Sequence, residues 1–228
     1  MFYPKLPSNI KSIIKGNPRI TVNKCEDLGP ITKLYPTLEH EQDPDTIIIT
    51  VDDDAEYLPS RVETLVDWCQ KNPNAAFSGR GIIIGNYWHE FISFVDEPKE
   101  PVNVSICEGT AACAYRRKFF DSDIIDYTGA PKDAYYHDDV WISGYLAKRG
   151  IDRIVHPEAF GVRSKLPGAL SDDHIPNAMK FLNSIRYFRE QGLFREIAYR
   201  PLFKTLSGAI AFALLIIGIF IAIGISGI

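Results

Sequence analysis

Cysteine is scarce in this sequence, and none of it has the spacing of a zinc site. Four cysteines occur among 228 residues, with no Cys-x-x-Cys pair and no histidine at zinc spacing. This pattern argues against a zinc-stabilised fold and a disulfide-rich secreted domain. We expect reduced, mostly buried thiols, with a bridge between Cys107 and Cys113 as the alternative.

An excess of basic residues is also missing. The chain has 25 Lys and Arg against 29 Asp and Glu, a formal net charge of -4. Broad nucleic-acid binding usually needs a basic face, so we expect no nucleic-acid partner. A sugar-phosphate ligand remains compatible with this charge, because a metal ion can supply positive charge locally.

The C-terminal segment lacks charge altogether. Residues 206–228 contain no charged side chain and are dominated by Ile, Leu, Phe, Ala and Gly. At ~1.5 Å per residue, such a helix spans the roughly 30 Å hydrocarbon core of a bilayer. The sequence therefore predicts a transmembrane anchor at 205–228 after a globular domain at 1–204, with a buried core helix as the alternative.

The charges beside this segment predict its orientation. Arg195, Arg200 and Lys204 precede the apolar run, and no basic residue follows it. The positive-inside rule then places the globular domain on the cytosolic side of a single-pass membrane protein. No N-terminal signal peptide is recognisable, which agrees with an anchor at the C-terminus.

Strand and helix patterns alternate along the rest of the chain. Strands are predicted at 19–25, 46–51 and 151–156, and helices at 61–71, at 138–149 and at 176–199 with an interruption at Gly192. The β-branched run at 46–51 is typical of a buried parallel strand. These patterns predict an α/β fold with a mixed, mostly parallel sheet flanked by helices.

Three consecutive aspartates follow the second of these strands. Asp52 and Asp54 are two residues apart, so in extended chain they point to the same side. Ligands of open α/β sheets bind beyond the carboxyl ends of strands, and two such carboxylates can hold a hard divalent cation. The alternative is an acidic turn or a helix cap.

A second acidic pair, Asp138 and Asp139, stands at the start of a predicted helix. The helix dipole favours carboxylates there, so capping alone could explain one of them. Upstream, the small residues from Gly109 onward would let a sugar approach the backbone closely. Arg116 is a candidate for pairing with phosphate or with the acidic clusters.

Four blocks of the sequence resemble GT-A glycosyltransferases of the family-two-like and exostosin-like kind. The segment DTIIITVDDDAEYLP (45–59) is similar to their DxD segment. EGTAACAYRRKFF (108–120) and HDDVWISGYLAKRGI (137–151) follow in the order of the later motifs. CEDLGPITKLYPTL (25–38) resembles the nucleotide-side segment. The resemblance covers residues 19 to about 165.

This resemblance implies roles on the donor side. Asp54 matches the direct ligand of Mn²⁺ or Mg²⁺, and Asp52 the carboxylate facing the metal or the donor ribose. Asp53 would turn toward backbone or the donor sugar. Lys33 matches a basic position near the donor phosphates, with a solvated surface lysine as the alternative. Asp27 would help to order that loop.

The resemblance also implies an acceptor side. Asp139 matches the base that deprotonates an acceptor hydroxyl, and Asp138 is second for this role. His174, in an acidic loop that could close over bound donor, and His156 compete as a further metal ligand or diphosphate contact, with His174 as the predicted ligand. For each histidine taken alone, a structural role is favoured over ligand binding.

The implied activity is a metal-dependent, inverting transfer of sugar from a nucleoside-diphosphate sugar to a carbohydrate or other hydroxyl acceptor. UDP-sugars are the first expectation and GDP-sugars the second. The rivals are an inactive, membrane-anchored binding module and a nucleotidyltransferase. The family's first nucleotide-binding strand would precede the matched region, and residues 1–18 are too short and broken to supply it. Either a partner chain completes the sheet, or the N-terminal segment replaces that strand, or the protein is degenerate.

Overall fold

A computed structural model describes residues 8–53, 55–85, 92–158, 161–163 and 174–194. Within these ranges the helices are α1 (Ser8–Gly16), α2 (Tyr35–His40), α3 (Arg61–Lys71), α4 (Asp138–Lys148) and α5 (His174–Glu190). The strands are β1 (Ile47–Thr50), β2 (Ala55–Tyr57), β3 (Ala75–Ser78), β4 (Arg80–Ile84), β5 (Ile92–Asp96), β6 (Val102–Asn103), β7 (Ile106–Cys107), β8 (Cys113–Arg116), β9 (Asp152–Val155) and β10 (Gly161–Arg163).

The central sheet has the strand order β1-β8-β3-β9-β6. Only the β3–β9 pair in this sheet is parallel, whereas β8 runs antiparallel to both β1 and β3, and β6 is antiparallel to β9. Strands β5-β4-β7 form a smaller antiparallel sheet, and β10 pairs with β2. The prediction of a mostly parallel sheet is therefore wrong.

Burial of β1 on both faces explains this error. Ile48 belongs to the main apolar core with residues of α4, whereas Ile47 and Ile49 pack against the smaller core that contains Leu65 of α3. A strand covered on both faces is apolar at every position, whichever way its neighbour runs. The β-branched run correctly predicted a buried strand, but it carried no information about the direction of β8.

The membrane prediction concerns residues that the structure does not describe. No helix in the described ranges is both long and apolar enough to cross a membrane. The predicted span, residues 205–228, lies outside those ranges. The predicted fold class, a mostly parallel sheet with a transmembrane helix, is thus corrected to a mixed α/β fold for the described residues.

Several local predictions can be compared directly with the structure. Helices α3 and α4 confirm the helices predicted at 61–71 and 138–149, and β9 confirms the strand predicted at 151–156. Helix α5 ends at Glu190, just before the predicted interruption at Gly192. The four cysteines are free, and all but Cys25 are buried, as expected. The strand predicted at 19–25 is wrong, since these residues form no ladder and leave Val22 53% exposed.

Helices α4 and α5 pack at a point where one residue has no side chain. A Cβ atom built on Gly144 of α4 would lie inside contact distance of the Phe188 ring of α5. Phe188 is 1% exposed and is surrounded by other core aromatics, so its ring has little room to move. Glycine at this position therefore lets α5 approach α4 closely.

Gly144→Ala should lower the free energy of unfolding by about 1–2 kcal/mol. Overpacking a core costs about 1–3 kcal/mol, and the better helix propensity of alanine returns about 0.5–1 kcal/mol. Urea unfolding of the full chain measures the difference. Gly16→Ala is the matched control, because nothing lies within 4 Å of its added Cβ. Equal unfolding midpoints for Gly144→Ala and the wild type would show that α5 is not packed this closely.

Candidate functional site

Lys33 lies at the centre of three carboxylates. Its Nζ atom is 2.7 Å from Asp52 Oδ1, 3.0 Å from Asp138 Oδ2 and 4.0 Å from Asp139 Oδ1. We call these four residues the Lys33 cluster. Asp52 lies two residues beyond the end of β1, the two other aspartates begin α4, and Lys33 ends a 3₁₀ helix at Gly29–Lys33. Three segments that are distant in sequence therefore meet at one ammonium group.

The turn at Gly109–Ala111 connects the two acidic segments. The backbone N–H of Gly109 donates to Asp139 Oδ1 at 3.0 Å. The Tyr57 hydroxyl accepts the backbone N–H of Asp52 at 2.9 Å and donates to the Thr110 carbonyl at 3.1 Å. The end of β1 and the start of α4 are thus both held to the same turn.

Gly109 has no room for a side chain. A Cβ atom on it would lie 2.7 Å from Asp139 Oδ1 and 2.7 Å from Lys33 Nζ. Such distances are far below van der Waals contact, so the glycine is what allows the lysine and the carboxylate to come together. The sequence predicted a close backbone approach at Gly109, and the described contact is with the cluster's own side chains.

The two aspartates of α4 have different surroundings. Asp138 is 7% exposed, and its Oδ2 atom makes no well-aligned hydrogen bond although the Lys33 ammonium lies within ion-pair distance. The side chain of Asp139 is 30% exposed, so one part of it faces solvent while the Gly109 N–H holds Oδ1. Asp139 is therefore the carboxylate that an external hydroxyl can reach more easily.

The cluster shifts the pKa values of its members. Burial disfavours the Lys33 ammonium, but the charges of Asp139, Asp138 and Asp52 outweigh it and raise the pKa of Lys33. Burial raises the pKa of Asp139 well above the usual carboxyl range, the charge of Asp138 adds to this effect, and Lys33 partly offsets it. A carboxylate with a raised pKa accepts a proton more readily near neutral pH.

Two of the predicted donor-side residues lie elsewhere in the fold. Arg116 donates to the carbonyl oxygens of Asp45 and Cys69, at 2.7 and 3.1 Å, so it links β8 to the loop before β1 and to α3, outside the Lys33 cluster. Asp27 accepts the N–H of Gly29 at 2.9 Å, which orders the turn that leads to Lys33. Asp53 is exposed beside the cluster.

The structure also bears on the predicted metal ligands. Asp54 and the side chain of His174 lie outside the described part of the chain. His156, the competitor of His174, is fully buried, and its Nε2 atom is 2.8 Å from Arg61 Nη1. Burial, followed by the charge of Arg61, lowers the pKa of His156 to about 4. This histidine is a neutral structural residue rather than a metal ligand.

No group of three or more His, Cys, Asp or Glu side chains in the described ranges is arranged to hold a metal ion. Within the Lys33 cluster, Asp52 and Asp138 are the carboxylates nearest to a common cation position, and a lysine ammonium occupies it. Octahedral divalent cations often use only one or two carboxylates and complete their shell with water. Asp52 and Asp138 thus offer the oxygen chemistry that Mg²⁺ or Mn²⁺ needs.

Tyr57 is the site residue that the sequence did not reveal. It stands in the block that resembles the DxD segment, yet nothing in its spacing from Asp52 indicates a contact. In the folded chain the Tyr57 hydroxyl accepts the Asp52 N–H although the two residues are five apart in sequence. Only the folded chain shows that Tyr57 positions the acidic turn.

No protein-family model matches this chain, and no curated protein matches it. The resemblance to GT-A glycosyltransferases therefore rests on the four sequence blocks, and the activity it implies remains a prediction.

Proposed function

We propose that the Lys33 cluster is the donor site of a glycosyltransferase that uses a nucleoside-diphosphate sugar. The observation that supports this proposal is the convergence of Asp52 and the Asp138–Asp139 pair on Lys33. The sequence blocks implied a donor role for the first carboxylate and a base role for the pair. A donor-side carboxylate and a base must reach the same bound donor and acceptor, so they have to lie close together. All three carboxylates lie within 4.0 Å of Lys33 Nζ.

The chemistry follows from the positions of the charged groups. Asp139 accepts the proton of an acceptor hydroxyl, whose oxygen attacks the anomeric carbon as the bond to the nucleoside diphosphate breaks on the opposite face. Lys33 provides positive charge for the diphosphate oxygens. Asp52 and Asp138, with Asp54 as the ligand that the sequence resemblance implies, would hold Mn²⁺ or Mg²⁺, which would supply a Lewis acid for the departing diphosphate. UDP-sugars are the favoured donors, with GDP-sugars second.

The second candidate is an inactive module that binds a ligand without turnover. The observation that favours it is the ion pairing of Lys33 with Asp52 and Asp138, which already compensates the carboxylates that a metal would use. In that case the cluster would act as a structural link between β1 and α4. Binding of donor without release of nucleotide would distinguish this module from an enzyme.

Calorimetry of the full chain with UDP, and with GDP for comparison, tests the donor site with and without Mn²⁺. We expect UDP binding that depends on Mn²⁺ and that weakens about tenfold in Asp52→Asn, because one charged contact contributes about 1.5–3 kcal/mol. Asp45→Asn is the control, since Asp45 is an exposed carboxylate that pairs with Lys118. A folded protein that binds neither nucleotide would contradict the proposal.

A further inference from the structure

The ammonium of Lys33 occupies a position that is built for a cation. Asp52 and Asp138 approach it from two different elements, at 2.7 and 3.0 Å. Gly109 leaves this space open, because any Cβ at that residue would meet the ammonium. The cluster holds three carboxylates and one ammonium, so its net charge stays negative even when Lys33 is in place.

The bond of Lys33 to one of these carboxylates is incomplete. Asp138 is 7% exposed and is aimed into the cluster, and although Lys33 Nζ lies 3.0 Å from its Oδ2 atom, this oxygen makes no well-aligned hydrogen bond within the described part of the chain. A buried carboxylate oxygen without such a bond is costly, so the ammonium satisfies this site only in part. A small metal cation has no N–H bonds to align, so it would compensate the Asp138 carboxylate better than the ammonium does.

The spacing of the carboxylates is compatible with such an ion after a modest movement. Mg²⁺ and similar ions take oxygen ligands at about 2.0–2.1 Å, so the two carboxylates would have to move inward by less than about 1 Å. The ammonium cannot stay in place when a divalent ion enters, because the two charges would repel at contact distance. Lysine and metal therefore exclude each other.

We infer that Lys33 is a built-in counter-cation that keeps divalent metal away from Asp52 and Asp138 until a diphosphate draws its ammonium aside. The second step of this role, in which the donor diphosphate draws Lys33 away from the carboxylates, rests on the proposed function. It makes the binding of metal and nucleotide cooperative, since each favours the arrangement that the other needs. Lys33 then acts as a gate for the metal as well as a phosphate contact.

The first arm of the test measures Mn²⁺ binding to the full chain without nucleotide, from the electron paramagnetic resonance signal of free Mn²⁺. Lys33→Met and Lys33→Gln should bind Mn²⁺ at least about tenfold more tightly than the wild type. Lys118→Met, which removes an exposed lysine that pairs with Asp45, should bind as the wild type does. The double variant Lys33→Gln/Asp138→Asn should lose the gain.

Lys33→Gln keeps a donor for Asp52, so it decides the result if Lys33→Met does not fold. Lys33→Gln that binds Mn²⁺ no more tightly than the wild type would overturn the inference. So would a gain in affinity that persists in the double variant, because the metal would then be bound elsewhere.

The second arm adds UDP to the wild-type protein. We expect UDP to tighten Mn²⁺ binding at least about tenfold, and Mn²⁺ to tighten UDP binding by the same factor. If the Lys33 variants gain Mn²⁺ affinity but UDP has no effect on the wild type, the donor proposal fails while exclusion of metal by Lys33 stands. If UDP and Mn²⁺ bind cooperatively but the variants gain nothing, the gate is wrong and the donor site stands.

Discussion

Asp139→Asn is expected to slow sugar transfer by about 100- to 10,000-fold while the protein stays folded. The asparagine carbonyl can still accept the N–H of Gly109, so the geometry of the turn should survive. The amide cannot take a proton from an acceptor hydroxyl, and the substitution also removes one negative charge from the Lys33 cluster. Release of UDP from a UDP-sugar, with and without added acceptor, measures the rate.

The pH dependence of the wild-type rate should identify the same group. The active form of a general base is deprotonated, so kcat/KM should fall as the pH falls through the pKa of Asp139. Burial and the charge of Asp138 raise this pKa, and the decline should therefore begin at a higher pH than for an ordinary carboxylate. Asp139→Asn should abolish this limb of the profile.

Asp126→Asn is the matched control for this experiment. Asp126 is an exposed aspartate whose side chain accepts the N–H of Thr128, a bond that asparagine can also accept. The control should retain the wild-type rate and pH profile. Full activity in Asp139→Asn would move the base to Asp138, whose carboxylate is closer to Lys33 and less exposed.

Lys33→Met should lower the free energy of unfolding by about 2–3 kcal/mol near neutral pH. Removing one partner of a buried ion pair costs about 3–5 kcal/mol, because the remaining charges lose their compensation. The side chains of the Lys33 cluster keep between 10% and 30% of their surface exposed, so water reduces this cost. Urea unfolding of the full chain measures it.

The loss should become smaller in acid. A group whose pKa is raised in the folded state binds protons there first, so lowering the pH stabilises the fold relative to the unfolded chain. Asp139 is already such a group in the wild type, and removal of the Lys33 charge, which partly offsets the shift, would raise the pKa of Asp139 further. We therefore expect the deficit of Lys33→Met to be smaller at mildly acidic pH than near neutral pH.

Lys118→Met provides the comparison at both pH values. Lys118 pairs with Asp45 on the surface, and exposed pairs contribute little to stability. A deficit of Lys33→Met that is equal at both pH values would show that the lysine acts through packing of its alkyl chain, without electrostatic compensation of the three aspartates.

Local elements of this protein were predictable because their signals are local. Helix α3 follows from apolar residues at helical spacing, α4 from a helical segment that Gly150 ends, and β1 from an unbroken β-branched run. Asp52, Asp138 and Asp139 were recognisable because acidic residues that end a strand or begin a helix do nothing for the core. These inferences need only the residue types and their spacing.

Other features depend on contacts between distant segments, and the sequence alone could not decide them. The residue pattern of β1 does not show that β8 runs antiparallel to β1 and β3. A strand that is buried on both faces has the same apolar pattern beside a parallel or an antiparallel neighbour. Arg116 and His156 carried the right chemistry for a site, but the fold turns them to backbone carbonyls and to Arg61.

The sequence by itself thus determined which charged residues stand at the ends of strands and helices, because element ends follow from residue types and their periodic spacing. Only the tertiary structure decided that Lys33 meets Asp52, Asp138 and Asp139, and that Tyr57 and Gly109 hold them there. The physical reason is that a charge cluster is a property of distances in space. The packing of turns, strands and helices sets those distances, and no regular residue spacing in the sequence predicts that packing.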